Sequence, residues 1–231
     1  MKIYIRISEN QNSISGDNRW NSFDKRMILK KCWISLQLNL TKSDSVIVYH
    51  NNVRDKTLKW VETTFQGGLI NFKQIDTIDE SFSVPLADIK EEITKSSNDN
   101  DIIGLLEDDY LWSPKAFKVI NKAFEYWGGF ISPSDSPKNY TNFTPSIVFV
   151  GTDRHWRTSY ISWNFFSKAS SLRKHINQIS NSGILRDINL LNEITKETQC
   201  INPLPGVATH CKEKDMTPLV NWWDIWQGIK V

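Results

Sequence analysis

The sequence predicts an α/β protein with a mostly parallel central sheet flanked by helices, folded as one compact domain over residues 1–231. Three observations predict it. The segments Ser45–Tyr49 (SVIVY) and Asp101–Leu106 (DIIGLL) are continuously apolar and do not alternate, as strands covered on both faces are. Segments of helical periodicity separate the strand candidates of residues 2–106, giving the order β-α-β-α-β-α-β of crossover connections. A chain of 231 residues with 39% hydrophobic content is long enough to bury one continuous core.

Each element follows from local pattern. Residues 2–7, KIYIRI, alternate and are isoleucine-rich, which marks an opening strand. After a polar stretch, Phe23, Met27, Ile34 and Leu38 form one helical stripe and Leu29, Trp33, Leu36 and Leu40 a neighbouring one, so this helix is apolar over a broad face. Asp55 caps a helix carrying Leu58, Val61 and Phe65 that Gly67-Gly68 ends. Leu69–Ile75 is a third strand, and Pro85 opens a helix with Leu86, Ile89 and Ile93. Beyond the strand Asp101–Leu106, Ser113-Pro114 starts a helix with Phe117, Ile120, Phe124 and Trp127 on one face. The second half is less regular: strands at Gly129–Ser132 and Ser146–Val150, helices at Ser170–Ile179 and Asp187–Thr195, and a last strand at Gln199–Ile201 before a Pro/Gly-rich loop.

Composition narrows the class. With 28 basic and 26 acidic side chains the net charge of +2 excludes a strongly basic nucleic-acid binder. No run of 18 apolar residues predicts a transmembrane helix, and no secretory leader is visible at the N-terminus, so a cytoplasmic protein is expected. Cys32, Cys200 and Cys211 are odd in number and widely spaced, which predicts reduced thiols and neither a zinc site nor a disulfide framework. Ten tryptophans are the one compositional oddity.

Chemistry concentrates where the strand Asp101–Leu106 runs into Glu107-Asp108-Asp109. In an open parallel sheet, ligands bind beyond the carboxyl ends of the strands. Three consecutive acids there repel one another unless a cation neutralises them, and a divalent metal does so while recruiting phosphate oxygens. An acidic turn that only favours the N-terminus of the following helix is the competing reading. No GxGxxG, GxxxxGK[ST] or GxSxG occurs, which excludes a dinucleotide enzyme, a P-loop NTPase and a serine hydrolase of that type.

An apolar strand ending in Glu107-Asp108-Asp109, then an aromatic and Ser113-Pro114, resembles the DxD region of nucleotide-sugar glycosyltransferases with the GT-A (Rossmann-like) fold. The preceding β-α order over residues 2–106 strengthens the resemblance, which divides the chain into a nucleotide-binding half, about 1–110, and an acceptor half with a C-terminal metal loop, about 111–231. By position, the resemblance makes Asp109 a ligand to Mn²⁺ or Mg²⁺ and sets Glu107 and Asp108 beside the ribose and the transferred sugar. Glutamate stands at the first position where aspartate is usual, a variation the family tolerates. His210, in the loop after the last strand, is the second expected metal ligand, and neutral imidazole suits Mn²⁺. Asp187 matches the position of a catalytic base in inverting members, although Arg186 stands where glutamate is usual; Asp153 is the competing acid.

The nucleotide base is expected near Arg6 and Ser8 on one side and Asp76 on the other, with Arg157 assisting the departing diphosphate. Trp112, His155 and Trp156 are the residues expected to meet the sugar or acceptor. The implied activity is metal-dependent transfer of a sugar from a nucleoside diphosphate sugar, a UDP-sugar by preference, to an acceptor hydroxyl. The alternatives are a sugar-nucleotide nucleotidyltransferase, whose glycine-rich basic signature after the first strand is missing here, and a non-catalytic carbohydrate-binding protein whose acids hold Ca²⁺.

Overall fold

The computed structural model describes residues 1–9, 24–77, 80–135, 147–148, 151, 154–159, 161, 164–180, 194–211, 216 and 219–231. The first half alternates strand and helix as its periodicity requires: β1 (Lys2–Ser8), α1 (Lys25–Gln37), β2 (Ser45–Asn51), α2 (Asp55–Thr63), β3 (Leu69–Gln74), α3 (Glu80–Lys95) and β4 (Ile102–Glu107). Then follow β5 (Tyr110–Trp112), α4 (Ala116–Phe124), β6 (Phe130–Ile131), β7 (Ile147–Val148), β8 (His155–Ser159), β9 (Phe165–Lys168), α5 (Ala169–Ser180), β10 (Cys200–Leu204), β11 (Ala208–His210) and α6 (Trp222–Gly228).

Nine strands form one sheet in the order β3-β2-β1-β4-β9-β6-β10-β8-β7, and β5 pairs with β11 in a separate ribbon. Strands β1 to β4 are mutually parallel; β9 runs against β4 and β6, and β10 is parallel to β6. The carboxyl ends of β1, β2, β3, β4, β6 and β10 therefore share one edge. The α/β class and mostly parallel sheet are those the apolar strands and crossover order predict.

Strand alternation divides the core into two layers. Ile3, Ile5 and Ile7 of β1 pack under Leu29, Trp33 and Leu36 of α1, with Val61 of α2 and Phe117 and Ile120 of α4. Tyr4 of β1 and Leu105 of β4 face the other way, onto Leu86, Ile89 and Ile93 of α3 and Leu172 and Ile176 of α5. The far side of α1 is covered by α6 through Ile28, Cys32, Trp222 and Trp226. Burying such side chains is worth about 1.5–3 kcal/mol each. No described helix is long and apolar enough to cross a membrane.

Several local expectations are corrected. Helix α3 starts at Glu80, so Pro85 lies inside it and does not open it. Proline has no N–H to give the carbonyl four residues back; the Arg6 guanidinium donates to that carbonyl, Ser81 O, at 3.5 Å. Ser113 is not the cap of α4: its hydroxyl donates to Val207 O at 3.0 Å, and Lys115, at φ 66° in the left-handed region, precedes the helix. The stretch 208–210, expected as loop, is strand β11, and Tyr110–Trp112 is strand β5. The expected helix Asp187–Thr195 falls largely outside the described residues.

Candidate metal and nucleotide site

At the shared sheet edge, backbone alternation distributes the three acids. Arg6 and Glu107 are register partners on neighbouring strands, so their side chains leave the sheet on the same face. The Arg6 guanidinium meets Glu107 Oε1 at 2.5 Å. Burial pushes the Glu107 carboxyl above the ordinary range; Arg6 opposes that rise, and Asp109 adds to it. Asp108, the next residue, is held on both oxygens: Lys25 Nζ meets Oδ1 at 2.5 Å and Ser8 N–H donates to Oδ2 at 2.9 Å. Asp108 thus ties the end of β1 and the start of α1 to the end of β4.

Lys25 is a functional neighbour that the sequence patterns miss. It is the first residue of α1, after the N-cap Asp24, and a cation there opposes the helix macrodipole. That mismatch was the available signal. The ammonium is 5% exposed, which only a partner such as Asp108 makes tolerable.

Asp109 is handled differently. Its Oδ2 lies 3.1 Å from His210 Nε2. The two residues are 101 positions apart in sequence, and the β5–β11 ribbon brings them together: Tyr110 pairs with His210 and Trp112 with Ala208. The Tyr110 and His210 rings stack at 4.9 Å and 5°. Cys211 N–H closes the ribbon by donating to Asp109 O at 2.8 Å. Strand β5 is itself fixed on α1 by Trp112 N–H donating to Ser35 Oγ at 3.0 Å.

Glu107 thus meets Arg6, Asp108 meets Lys25, and Asp109 faces the His210 imidazole. The separation suits a metal. Two adjacent ligands at about 2.1 Å from an octahedral ion stand about 3 Å apart, close to what Asp109 and His210 show. Among the described residues no group of three or more His, Cys, Asp or Glu side chains could hold an ion, so diphosphate oxygens or water must complete any such coordination.

The other expected residues divide sharply. Asp76 lies just past the end of β3, three strands from β4, or about 14 Å at the usual strand spacing. The first turn of α3 meets the site through the Arg6–Ser81 bond. Two expectations are corrected outright: Trp112 and Trp156 cannot offer a ring face to a sugar. Trp112 is 2% exposed, packed edge-on against Phe117 and Phe166, and Trp156 is fully buried in the same layer. Trp156 turns inward beside the exposed His155, whereas Trp112 lies on a strand buried at all three residues. Arg157, expected to assist the diphosphate, sits on β8, four strands from β4, and its Nε donates to Thr158 O at 3.3 Å. His155 is exposed on β8 opposite Leu204, at the shared edge but away from Asp109. Asp187 and Asp153 lie outside the described residues.

Asp135, beyond β6, is a further acid at this edge that the sequence reading passes over. It is 2% exposed and lies against Gly206, where a Cβ would come within 2.3 Å of its Oδ1. Only glycine admits that approach, and the loop so positioned leads directly into β11 and His210.

No family model matches the sequence, and no curated protein does. Among solved structures the chain is similar to the galactosyltransferase LgtC in complex with donor and acceptor sugar analogs, at 10% identity and TM-score 0.49, over 100% of this chain and 97% of that one. It is similar to TarS of S. aureus at 11% identity and TM-score 0.44, covering 75% of this chain and 29% of TarS. It is also similar to 4-diphosphocytidyl-2C-methyl-D-erythritol synthase from Anaerococcus prevotii, at 11% identity and TM-score 0.48, over 96% and 92% of the two chains. Function is therefore argued from the site itself.

Proposed function

We propose that this chain is a metal-dependent glycosyltransferase that moves a sugar from a nucleoside diphosphate sugar, a UDP-sugar in the first instance, to an acceptor hydroxyl. The observation that carries the reading is the meeting of Asp109 and His210 at the carboxyl edge of a parallel sheet, 3.1 Å apart, brought together by the β5–β11 ribbon. Asp109 and His210 would hold Mn²⁺ or Mg²⁺. Bound there, a divalent ion supplies charge neutralisation for a diphosphate and for the nucleotide as it leaves.

The chain's own residues prepare that place. Lys25 and Ser8 fix Asp108, so the backbone that carries Asp109 cannot drift. Arg6 holds Glu107 by one oxygen, and the Glu107 side chain keeps about a third of its surface open, which leaves it able to accept from a ribose or sugar hydroxyl. Ser8 and Arg6 lie at the end of β1, and Asp76 bounds the same edge further out, where a nucleotide base would lie. Proton removal from the acceptor is assigned to Asp187, with Asp153 in reserve; His155 is the exposed side chain on the acceptor side.

Two assays test this. In calorimetry, UDP should bind wild-type protein with Mn²⁺ present and lose that affinity with EDTA or in Asp109→Ala. A panel of sugar nucleotides should then release the nucleoside diphosphate, slowly to water and faster to an acceptor. Release of pyrophosphate from a nucleoside triphosphate and a sugar phosphate would replace this reading with nucleotidyl transfer. Sugar binding that needs Ca²⁺ but no nucleotide would replace it with a carbohydrate-binding role.

A further inference from the structure

Behind the Asp109–His210 pair, two of the three cysteines meet. Cys32 on α1 and Cys211, the residue after His210, are 179 positions apart, and their Sγ atoms lie 3.5 Å from each other. Both are free and buried, in a small apolar cluster with Ile28, Leu111, Trp222 and Trp226. Cys200 provides the contrast: it is buried in the other layer of the sheet, and its thiol donates weakly to Ile201 O at 3.8 Å.

The geometry points to Cys32 and Cys211 as a thiol pair that a hydroperoxide converts to an intramolecular disulfide. One thiol sulfur attacks a peroxide oxygen and becomes a sulfenic acid, and the O–O bond breaks to release an alcohol, or water from hydrogen peroxide. The second sulfur then displaces the sulfenic oxygen, which leaves as water, and the S–S bond forms. The two thiols lose two electrons and two protons; the peroxide takes up both. A pocket lined by Cys32, Trp33, Glu107, Asp108, Tyr110 and Trp112 reaches the pair at Cys32.

Oxidation acts on the site through the backbone. A disulfide needs its sulfurs about 2.05 Å apart, so they must close by about 1.5 Å. Helix α1 is held by its packing on the sheet and by α6, where Lys31 Nζ donates to Trp226 O at 2.8 Å. Cys211 is joined to Asp109 through its N–H bond to Asp109 O, so drawing its sulfur toward α1 pulls on the end of β11. Drawing Cys211 toward α1 turns the His210 imidazole away from Asp109. This consequence for ligand binding rests on the proposed donor site; disulfide formation does not.

The test treats the full chain with hydrogen peroxide, blocks remaining thiols under denaturing conditions, and maps peptides without reduction. The expected result is a Cys32–Cys211 linkage within one chain, one blocked thiol at Cys200, and reversal by dithiothreitol. Three blocked thiols, a linkage that includes Cys200, or linkage between chains would overturn the proposal. Oxidised protein should bind UDP with Mn²⁺ about tenfold more weakly than reduced protein, and Cys32→Ala should bind UDP and be insensitive to peroxide. A mapped disulfide with unchanged UDP affinity overturns the coupling to His210. Reduced protein that fails to bind UDP at all overturns the donor reading and leaves the peptide map to decide the thiol pair.

Discussion

Two neighbouring parts of the sheet edge treat their acids in opposite ways. On the β1–α1 side, Glu107 and Asp108 are neutralised within the protein, by Arg6 at 2.5 Å and Lys25 at 2.5 Å. On the β5–β11 side, Asp109 is set against His210, a group that is charged only when protonated. The first arrangement is complete without a ligand and acts as a frame. The second sets a carboxylate against an imidazole, and it is the arrangement on which the proposed cation site rests. A row of three acids in sequence is thus two structural ties and one carboxylate set against an imidazole.

The comparison can be broken most severely at Lys25. Lys25→Met should leave the Asp108 carboxylate buried without its cation and cost about 3–5 kcal/mol of folding stability in urea titrations. The double variant Lys25→Met/Asp108→Leu should recover most of that loss. On the other side the pattern reverses. Asp109→Ala should change folding stability by less than about 1 kcal/mol, yet lower metal-dependent UDP affinity by more than about 100-fold, since outer partners of metal ligands alone are worth 10–100-fold. Arg6→Met should fall between the two. It removes the Glu107 pair and the donor to Ser81 O, so thermal unfolding should show a loss of about 1–3 kcal/mol, with UDP affinity weakened as the start of α3 loosens. His155→Ala should do least. It stands four strands from β4, and donor affinity measured by calorimetry should stay within about twofold.

Much of this was legible in the sequence. The unbroken apolar runs SVIVY and DIIGLL fixed the parallel strands, and the helical stripes between them fixed the crossovers. Asp109 and His210 stood out as candidates, one from its place after a buried strand and the other from its place in a late loop, and the structure brings the two side chains together. What could not be read was the device that joins them. Strands β5 and β11 have three residues each, too short for any periodicity to show. Lys25 hid among ordinary helix lysines, although its place in the first turn is electrostatically unfavourable unless an acid compensates. The tryptophans misled for a different reason. Trp112 and Trp156 adjoin polar loops in sequence, but alternation turns Trp156 inward, and Trp112 sits on a strand buried at all three residues; only the pairing reveals either. Pro85 misled by marking the start of a helix that begins five residues earlier, because Arg6 supplies a donor that local reasoning cannot foresee.

The central claim is that Asp109 and His210 together hold the cation on which a nucleoside diphosphate sits. The most direct measurement is paramagnetic broadening of the histidine ring signals by Mn²⁺ in the presence of UDP. His210 should broaden first and most as substoichiometric Mn²⁺ is added, ahead of His50, His155 and His175, and Asp109→Asn should abolish that selectivity. Broadening that spares His210, or that persists unchanged in Asp109→Asn, would contradict the account.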